Sequence, residues 1–450
     1  MPDHPIPDLP LTHDGMSRVA LASLDAARRR GASDAEVEVS AALGQSVTVR
    51  RGEVETVEYN RDKGLAITVY FGKRRGNAST SDLSPDAIER TVEAACAIAR
   101  HTAEDEAAGL PDDDRIYRGE APDLDLFHPW GLDVEEAIEL ARRTEAAALA
   151  VDKRITNTEG ATVSTYDTDF ILANTRGFLA GFPTSKSSIG CGVVSEEPSG
   201  MQRDYWYTTH RDPARLEPAE QVGRLAGERA IRRLGGRRLA TMEVPVLFEA
   251  NIASSLIGHF VSAASGSSLY RRSSFLLDRL DSEVFSPQVE ILEEPLLPGE
   301  LASSYYDAEG VATAPRTVVE NGVLKGWFLS SHSARKLGLR STGNAGGNHN
   351  LLVRPGAHGF DALVKLMGRG LVVTEMMGQG VNGLTGDYSR GAAGFWVEGG
   401  EIRFPVEEVT IAGNLLDMYR GIREVGSDAV VRGSRRCGSI LVDRMTLAGE

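Results

Sequence analysis

The run DAEVEVSAALGQSVTVRRGEVETVEYNRDKGLAITVYFGKRRGNAST, from Asp34 to Thr80, leaves little freedom in local structure. Apolar and polar residues alternate along it, and turn residues separate the alternating stretches. A period of two sends successive side chains to opposite faces of a strand, whereas a helix needs a period near 3.6. The run predicts a meander of antiparallel strands. An amphipathic helix over about 15–30 precedes it, and a second follows over about 84–108. Ser84 is placed to cap that helix, and Pro85 falls at its first position, where a missing N–H is no loss.

Helices and strands mixed in this way predict an α+β fold. The acidic, proline-bearing stretch LPDDDRIYRGEAPDLDLFHPW breaks the pattern and reads as a linker over 110–130. Beyond it come a helix over 133–151, strands to about 209 and a helix over 215–234, with glycine at the end of the last as a C-cap. From Thr241 the texture changes to short β-like runs and glycine turns. Asn321-Gly322 and Gly399-Gly400 mark hairpins, Asn-Gly being a type I′ signal. The expected organisation is a tail over 1–14 and an N-terminal α+β unit over 15–109. After the 110–130 linker come a second α+β unit over 131–238 and a large, mostly antiparallel β domain with one long helix over 239–450.

Charge and cysteine content narrow the function classes. A net charge of −15 repels phosphate backbones, which argues against direct nucleic-acid binding. Of the basic clusters Arg28–Arg30, Arg232-Arg233 and Arg237-Arg238, the first two close amphipathic helices, where cations suit the helix dipole. The three cysteines, Cys96, Cys191 and Cys437, are far apart and odd in number, so they form neither a disulfide framework nor a zinc ribbon. A reducing cytoplasm is the expected location. The N-terminus has no apolar signal core, and no apolar run approaches the ~18 residues that cross a membrane.

The chemistry-bearing residues centre on VPVLFEANIASSLIGHFVSAASG, residues 244–266, which reads as a strand leading into a helix. On a wheel of ~100° per residue, Asn251, Ser255, His259 and Ser262 share one stripe beside an apolar stripe of Ile252, Leu256, Phe260 and Ala263. A zinc helix needs two imidazoles on one face and usually an adjacent Glu. Here the face offers one imidazole, one amide and two hydroxyls, and Glu249 falls at the strand–helix junction. No metal is expected in this chain. The stripe suits either a helix lining a polar cavity or a structural histidine satisfied by hydrogen bonds. His4 and His13 fall in the expected tail, and His332 and His349 in loop-like surroundings. Ser333 and Lys336 match SxxK without its usual companion motifs. Gly378, Gly380 and Gly383 match GxGxxG, but the glycine-rich sequence that follows cannot open the helix a dinucleotide site requires.

At LFEANIASSLIGHFVSAASGSSLYRRSSFLLD, GQGVNGLTGDYSRGAAGFWVEGGEI and the terminal GSILVDRMTLAGE, the sequence resembles the TldD/PmbA family, and within it the PmbA (TldE) branch. The resemblance covers nearly the whole chain. It implies the metal-free subunit of a cytoplasmic metallopeptidase that pairs as a heterodimer with a TldD-type subunit. That partner would carry an HExxxH helix and the zinc, and the pair would enclose a chamber that cuts unfolded or extended peptides, as in peptide maturation and antitoxin degradation. No catalytic residue transfers to this chain, and Asn251, Ser255, His259 and Ser262 remain as candidate cavity-lining residues. Two other readings stay open. The chain is itself an active hydrolase, as a homodimer using dispersed ligands or Ser333 and Lys336, or it regulates DNA gyrase by protein binding.

Overall fold

The computed structural model describes residues 9–449. In the N-terminal half, α1 (His13–Arg29) leads into the meander β1 (Asp34–Arg50), β2 (Glu53–Phe71) and β3 (Arg74–Thr80), followed by α2 (Pro85–His101). Next come α3 (Val134–Leu149), β4 (Ile155–Asn174), β5 (Leu179–Ala180), β6 (Thr184–Glu197), β7 (Gly200–His210) and α4 (Ala219–Arg232). The strands form one antiparallel sheet in the order β3-β2-β1-β4-β6-β7, with β5 beside β4. Strands from both sides of the 110–130 segment thus share a sheet, because β1 pairs with β4 along most of its length. All four helices cover the same face. Val37 and Val39 pack under α1 and α2, and Val47 and Val49 under α3 and α4. Among the described residues, the edge strand β7 has no neighbouring strand on its outer side.

Local chemistry sets the helix limits. Asp133 and Glu136 form a reciprocal capping box that starts α3. α2 stops at His101, short of the expected 108, because Thr102 turns to an extended conformation while its hydroxyl bonds the Ile98 carbonyl at 2.8 Å. α4 starts at Ala219 rather than 215, since Pro213 and Pro218 confine the preceding residues to a 3₁₀ turn and an extended link. α1 begins at His13, whose Nδ1 lies 2.9 Å from the buried carboxylate of Asp169. His4 lies outside the described residues. The 110–130 segment is packed down, with Leu110, Ile116, Leu124 and Leu126 buried, the last three against Phe178, Tyr305 and Tyr306.

The C-terminal half begins with β8 (Met242–Phe248), α5 (Ala250–Ala263), α6 (Gly266–Tyr270), β9 (Ile291–Glu293), β10 (Arg316–Glu320), β11 (Val323–Leu324) and α7 (Ser331–Leu337). It continues through β12 (Leu351–Val353), α8 (Phe360–Met367), β13 (Arg369–Met377), β14 (Asp387–Glu398), β15 (Glu401–Asn414) and α9 (Leu415–Arg420). It ends with β16 (Ile422–Val425), β17 (Val430–Val431), β18 (Arg435–Cys437) and β19 (Ile440–Ala448). One sheet runs β11-β10-β9-β12-β18-β17. The other runs β15-β14-β13-β8-β19-β16 and closes on itself where β15 also pairs with β19. Both expected hairpins form: Asn321 and Gly322 have φ of 48° and 80°, and Gly399 and Gly400 have 65° and 76°, as type I′ turns require. The mixed helices and mainly antiparallel sheets are those of an α+β fold. No helix among the described residues is long and apolar enough to cross a membrane.

α5 is the long helix expected in this half, accompanied by four shorter ones. Of its expected apolar stripe, Leu256, Phe260 and Ala263 are buried, joined by Ala253 and Ile257, whereas Ile252 is half-buried because a polar cavity opens beside it. Phe260 meets Phe285 edge-on at 5.1 Å, and Tyr419 donates its hydroxyl to the Leu256 carbonyl at 2.8 Å. This packing turns the polar stripe outward, towards the sheet of the N-terminal half.

Candidate functional site

The first turns of the polar stripe of α5, Asn251 and Ser255, face the edge of β7 across a cavity of about 370 Å³. Four successive β7 residues, Arg203 to Trp206, line one wall. Asn251, Ile252 and Ser255 of α5 line another, with Thr374, Glu375 and Met376 of β13, Arg390 of β14 and Arg432 closing the rest. A smaller cavity of about 130 Å³ adjoins it, shares Asn251 and Arg432, and runs on past Tyr207 to Arg435. Together they follow β7 along its outer edge.

That edge pairs with no strand among the described residues, although side chains already meet some of its backbone groups. In an antiparallel ladder, alternate residues direct both backbone groups to the same side. The Arg203 carbonyl accepts from the Arg233 side chain, so it points away from β6. By the same alternation, Tyr205 and Tyr207 present their backbone groups outward, and the Tyr205 N–H donates to the Asp204 side chain at 2.7 Å. An extended chain laid in the cavity meets the Tyr205 carbonyl and the Tyr207 backbone groups as a further strand would, and competes with Arg233 and Asp204 for the Arg203 carbonyl and the Tyr205 N–H.

Charge in the site is ordered. Asp204 accepts from Arg229 at 3.3 Å, and Arg229 also bonds Glu249, the N-cap residue of α5, at 3.0 Å. Arg233 lies 2.5 Å from Glu375, and Arg203 lies 3.0 Å from Glu159. Each lining carboxylate therefore has an arginine. Arg390, Arg432 and Arg435 are left with no carboxylate partner among the described residues. Arg432 is held by aromatic faces instead, 4.2 Å from the Trp206 ring centre and 4.0 Å from that of Tyr207. Arg435 lies over Gly258, where a side chain would strike its guanidinium.

Buried polar atoms without partners concentrate here. Among the described residues they include Asn251 Oδ1, Ser255 Oγ, Thr374 Oγ1, Arg390 Nε and Arg432 Nη2, all on residues that line the cavity. Buried polar groups are nearly always hydrogen-bonded to protein or to water, so such a cluster marks a polar lining that water or a ligand completes.

The four stripe residues are thus distributed along the helix. Asn251 and Ser255 line the cavity. His259, one turn further on, has a buried Nε2 without a partner and meets the Tyr388 ring edge-on at 6.0 Å. Burial, with Arg390 and Arg435 adding to it, disfavours its protonation. Ser262 is exposed, and its carbonyl accepts from Ser265 and Ser268. Sequence reasoning missed the partners on β7 and the arginines. The signals were present in RDYWY, a charged pair followed by three aromatic residues on one strand, and in VRGSRR.

These residues do not fit a metal ion. Among the described residues, His259 has no second imidazole, thiolate or carboxylate beside it, and its charged neighbours are cations, which repel a dication. Cys437 is fully buried, donates to the Gly438 carbonyl, and is pushed well above the ordinary thiol range by burial. Among the described residues no group of three or more His, Cys, Asp or Glu is placed to hold an ion. His332 pairs with Asp105 at 2.9 Å, and His349 bonds the Gly343 carbonyl at 2.8 Å. Ser333 completes the capping box of α7 and Lys336 lies 2.7 Å from Asp105, so different partners hold the two SxxK side chains. The GxGxxG glycines serve a tight turn: a side chain on Gly380 would lie 1.8 Å from the Ser389 carbonyl oxygen, and β14 follows rather than a helix.

Three consecutive family models match the chain. Residues 35–99 match PmbA/TldA metallopeptidase domain 1, 127–234 the central domain and 241–449 the C-terminal domain. The metalloprotease PmbA of Escherichia coli O157:H7 is 50 % identical over 421 residues, covering 93 % of each chain. A solved Bacteroides thetaiotaomicron protein, named for a modulator of DNA gyrase, is 27 % identical with a TM-score of 0.93, covering 98 % of this chain and all of that one. TldE from Thermococcus kodakarensis shares the fold at 20 % identity and a TM-score of 0.84, over 96 % of this chain and all of that one.

Proposed function

Because the chain belongs to the PmbA/TldA metallopeptidase family, we propose that it acts there as the subunit without a catalytic metal, pairing with a TldD-type subunit to complete a peptide-cleaving chamber. The observation that carries this reading is the composition of α5 and its surroundings. Where a metallopeptidase helix would present paired histidines and a carboxylate, this one presents Asn251, Ser255 and a lone His259 among arginines. The zinc, the activated water and the general base then belong to the partner's HExxxH helix.

The chain contributes binding rather than bond cleavage. The free edge of β7 holds an extended peptide by backbone hydrogen bonds, which reads conformation more than sequence and so suits unfolded segments. A folded substrate cannot offer such a strand, so the chamber spares it. The site is expected to work in the cytoplasm and without nucleic acid, in keeping with the net charge of −15. In isolation the chain can associate with itself.

The test is to purify the chain alone, purify it with a TldD-type subunit carrying HExxxH, and assay peptide cleavage. Cleavage is expected only from the mixture, with loss on chelation. Chelator-sensitive cleavage by this chain alone sinks the proposal.

A further inference from the structure

The cavity holds more positive charge than its own carboxylates neutralise. Five arginines, Arg203, Arg229, Arg233, Arg390 and Arg432, face three carboxylates, Glu159, Asp204 and Glu375, and Glu249 is already engaged by Arg229. The three lining carboxylates are each taken by Arg203, Arg229 or Arg233. Arg390 and Arg432 remain, each with a buried N–H that meets no acceptor. A cation half withdrawn from water with no carboxylate beside it is costly, and a chain of net charge −15 has no shortage of carboxylates with which to pair it. Contact with the Trp206 and Tyr207 rings restrains the Arg432 guanidinium before any ligand arrives. Ser255 and Thr374 add two hydroxyls without partners.

We propose that this cavity is a carboxylate-binding site, with Arg390 and Arg432 as its cations, that anchors an extended peptide lying along β7. Planar guanidinium groups match a carboxylate in geometry and charge. The carboxylate comes from the peptide's C-terminus or from an acidic side chain, and the chemistry of recognition is the same for both. The inference rests on the reading that this chain forms a wall of a peptide chamber. It adds a preference that backbone pairing alone does not give.

The test uses the full chain and fluorescein-labelled hexapeptides of one apolar sequence. One pair ends in a carboxylate or an amide. A second pair, both amidated, carries a central Glu or Gln. Fluorescence anisotropy is expected to show at least one carboxylate peptide bound about tenfold or more tightly than its neutral match, the worth of a charge-assisted hydrogen bond. The pair showing the difference identifies the source. The double variant Arg390→Gln, Arg432→Gln is expected to bind charged and neutral peptides alike. No binding of the charged peptides, equal binding of charged and neutral peptides by the parent, or a preference that survives in the double variant overturns the proposal.

Since loss of two half-buried arginines can harm folding, Ser255→Asp gives an independent reading. It places a carboxylate in the cavity, so it is expected to raise the melting temperature and abolish the preference. A lowered melting temperature with the preference intact overturns the site. Co-elution with a TldD-type subunit and cleavage of the amidated peptide report on the chamber reading separately. Assembly and cleavage without a carboxylate preference remove the site alone.

Discussion

Replacing Arg229 by Met tests whether the two halves of the molecule are joined through the base of the site. Arg229 projects from α4 and reaches Asp204 on β7 and Glu249 at the start of α5, so it ties the N-terminal sheet to the C-terminal helix. All three groups are largely buried, with side-chain exposures of 14 %, 8 % and 18 %. Removing one member of a buried ion pair leaves the other uncompensated, at about 3–5 kcal/mol. Here the cost is reduced at both ends. Asp204 keeps Arg233 at 3.8 Å, and Glu249 keeps the Asn251 amide at 3.2 Å. The expected loss for Arg229→Met is therefore about 2–4 kcal/mol, somewhat below the full range for a broken buried pair. Adding Glu249→Gln removes the stranded charge, and the double variant should recover about 1–2 kcal/mol of that loss, since contacting groups are not additive. The assay is denaturant unfolding followed by tryptophan fluorescence, which senses this region because Arg229 lies 5.4 Å from the Trp206 ring centre. A single variant within about 0.5 kcal/mol of the parent, as for an ordinary surface change, refutes the reasoning. A double variant no more stable than the single refutes it too.

The His13–Asp169 pair raises the imidazole's pKa above its ordinary value, chiefly through the hydrogen bond. Its stabilisation is thus complete below the unfolded pKa of about 6.5 and is lost as pH rises through the folded value. NMR titration should place this histidine above the free value and return it downward in Asp169→Asn; an unchanged midpoint counts against the pair. Gly394→Ala should abolish soluble expression, because the added carbon would lie 1.9 Å from the Val372 carbonyl oxygen, while Gly64→Ala, with 3.8 Å of room, should express normally. Equal solubility of the two would show that β13 and β14 can separate. Ser333→Ala should cost about 1 kcal/mol through loss of a capping contact and leave peptide cleavage by the mixed subunits unchanged. Loss of cleavage at unaltered stability would restore the serine reading of SxxK.

The meander and the hairpins were legible because their causes are local. Period-two alternation from Asp34 to Thr80 and left-handed pairs at Asn321-Gly322 and Gly399-Gly400 act within a few residues of themselves. Helix ends were less legible. The expected extension of α2 to 108 failed because Thr102 bonds back to its own helix, a choice that helix periodicity does not register. The continuity of the first sheet across 110–130 was hidden for a different reason. β1 and β4 are separated by more than a hundred residues, and their pairing follows from two matched faces that no local pattern connects.

The site divides along the same line. The stripe of Asn251, Ser255, His259 and Ser262 could be read from helical spacing, and Asn251 and Ser255 do line the cavity. Spacing cannot say how far along a helix a cavity extends, because that depends on what packs over each turn. The first turns of α5 face the open edge of β7, whereas His259 lies under Tyr388 near Arg390 and Arg435. Those arginines carry the electrostatics around the helix, yet they stand 139 and 184 residues from Asn251, by the numbering, Arg390 on the closed sheet and Arg435 on the neighbouring one. Their charge also accounts for the helix's character. With cations on its polar side, paired metal ligands there would bind a dication poorly, so neutral Asn and Ser are the residues this surface tolerates. The same cations favour a carboxylate, and a helix whose polar face carries no paired metal ligands is thereby suited to border a site that holds one.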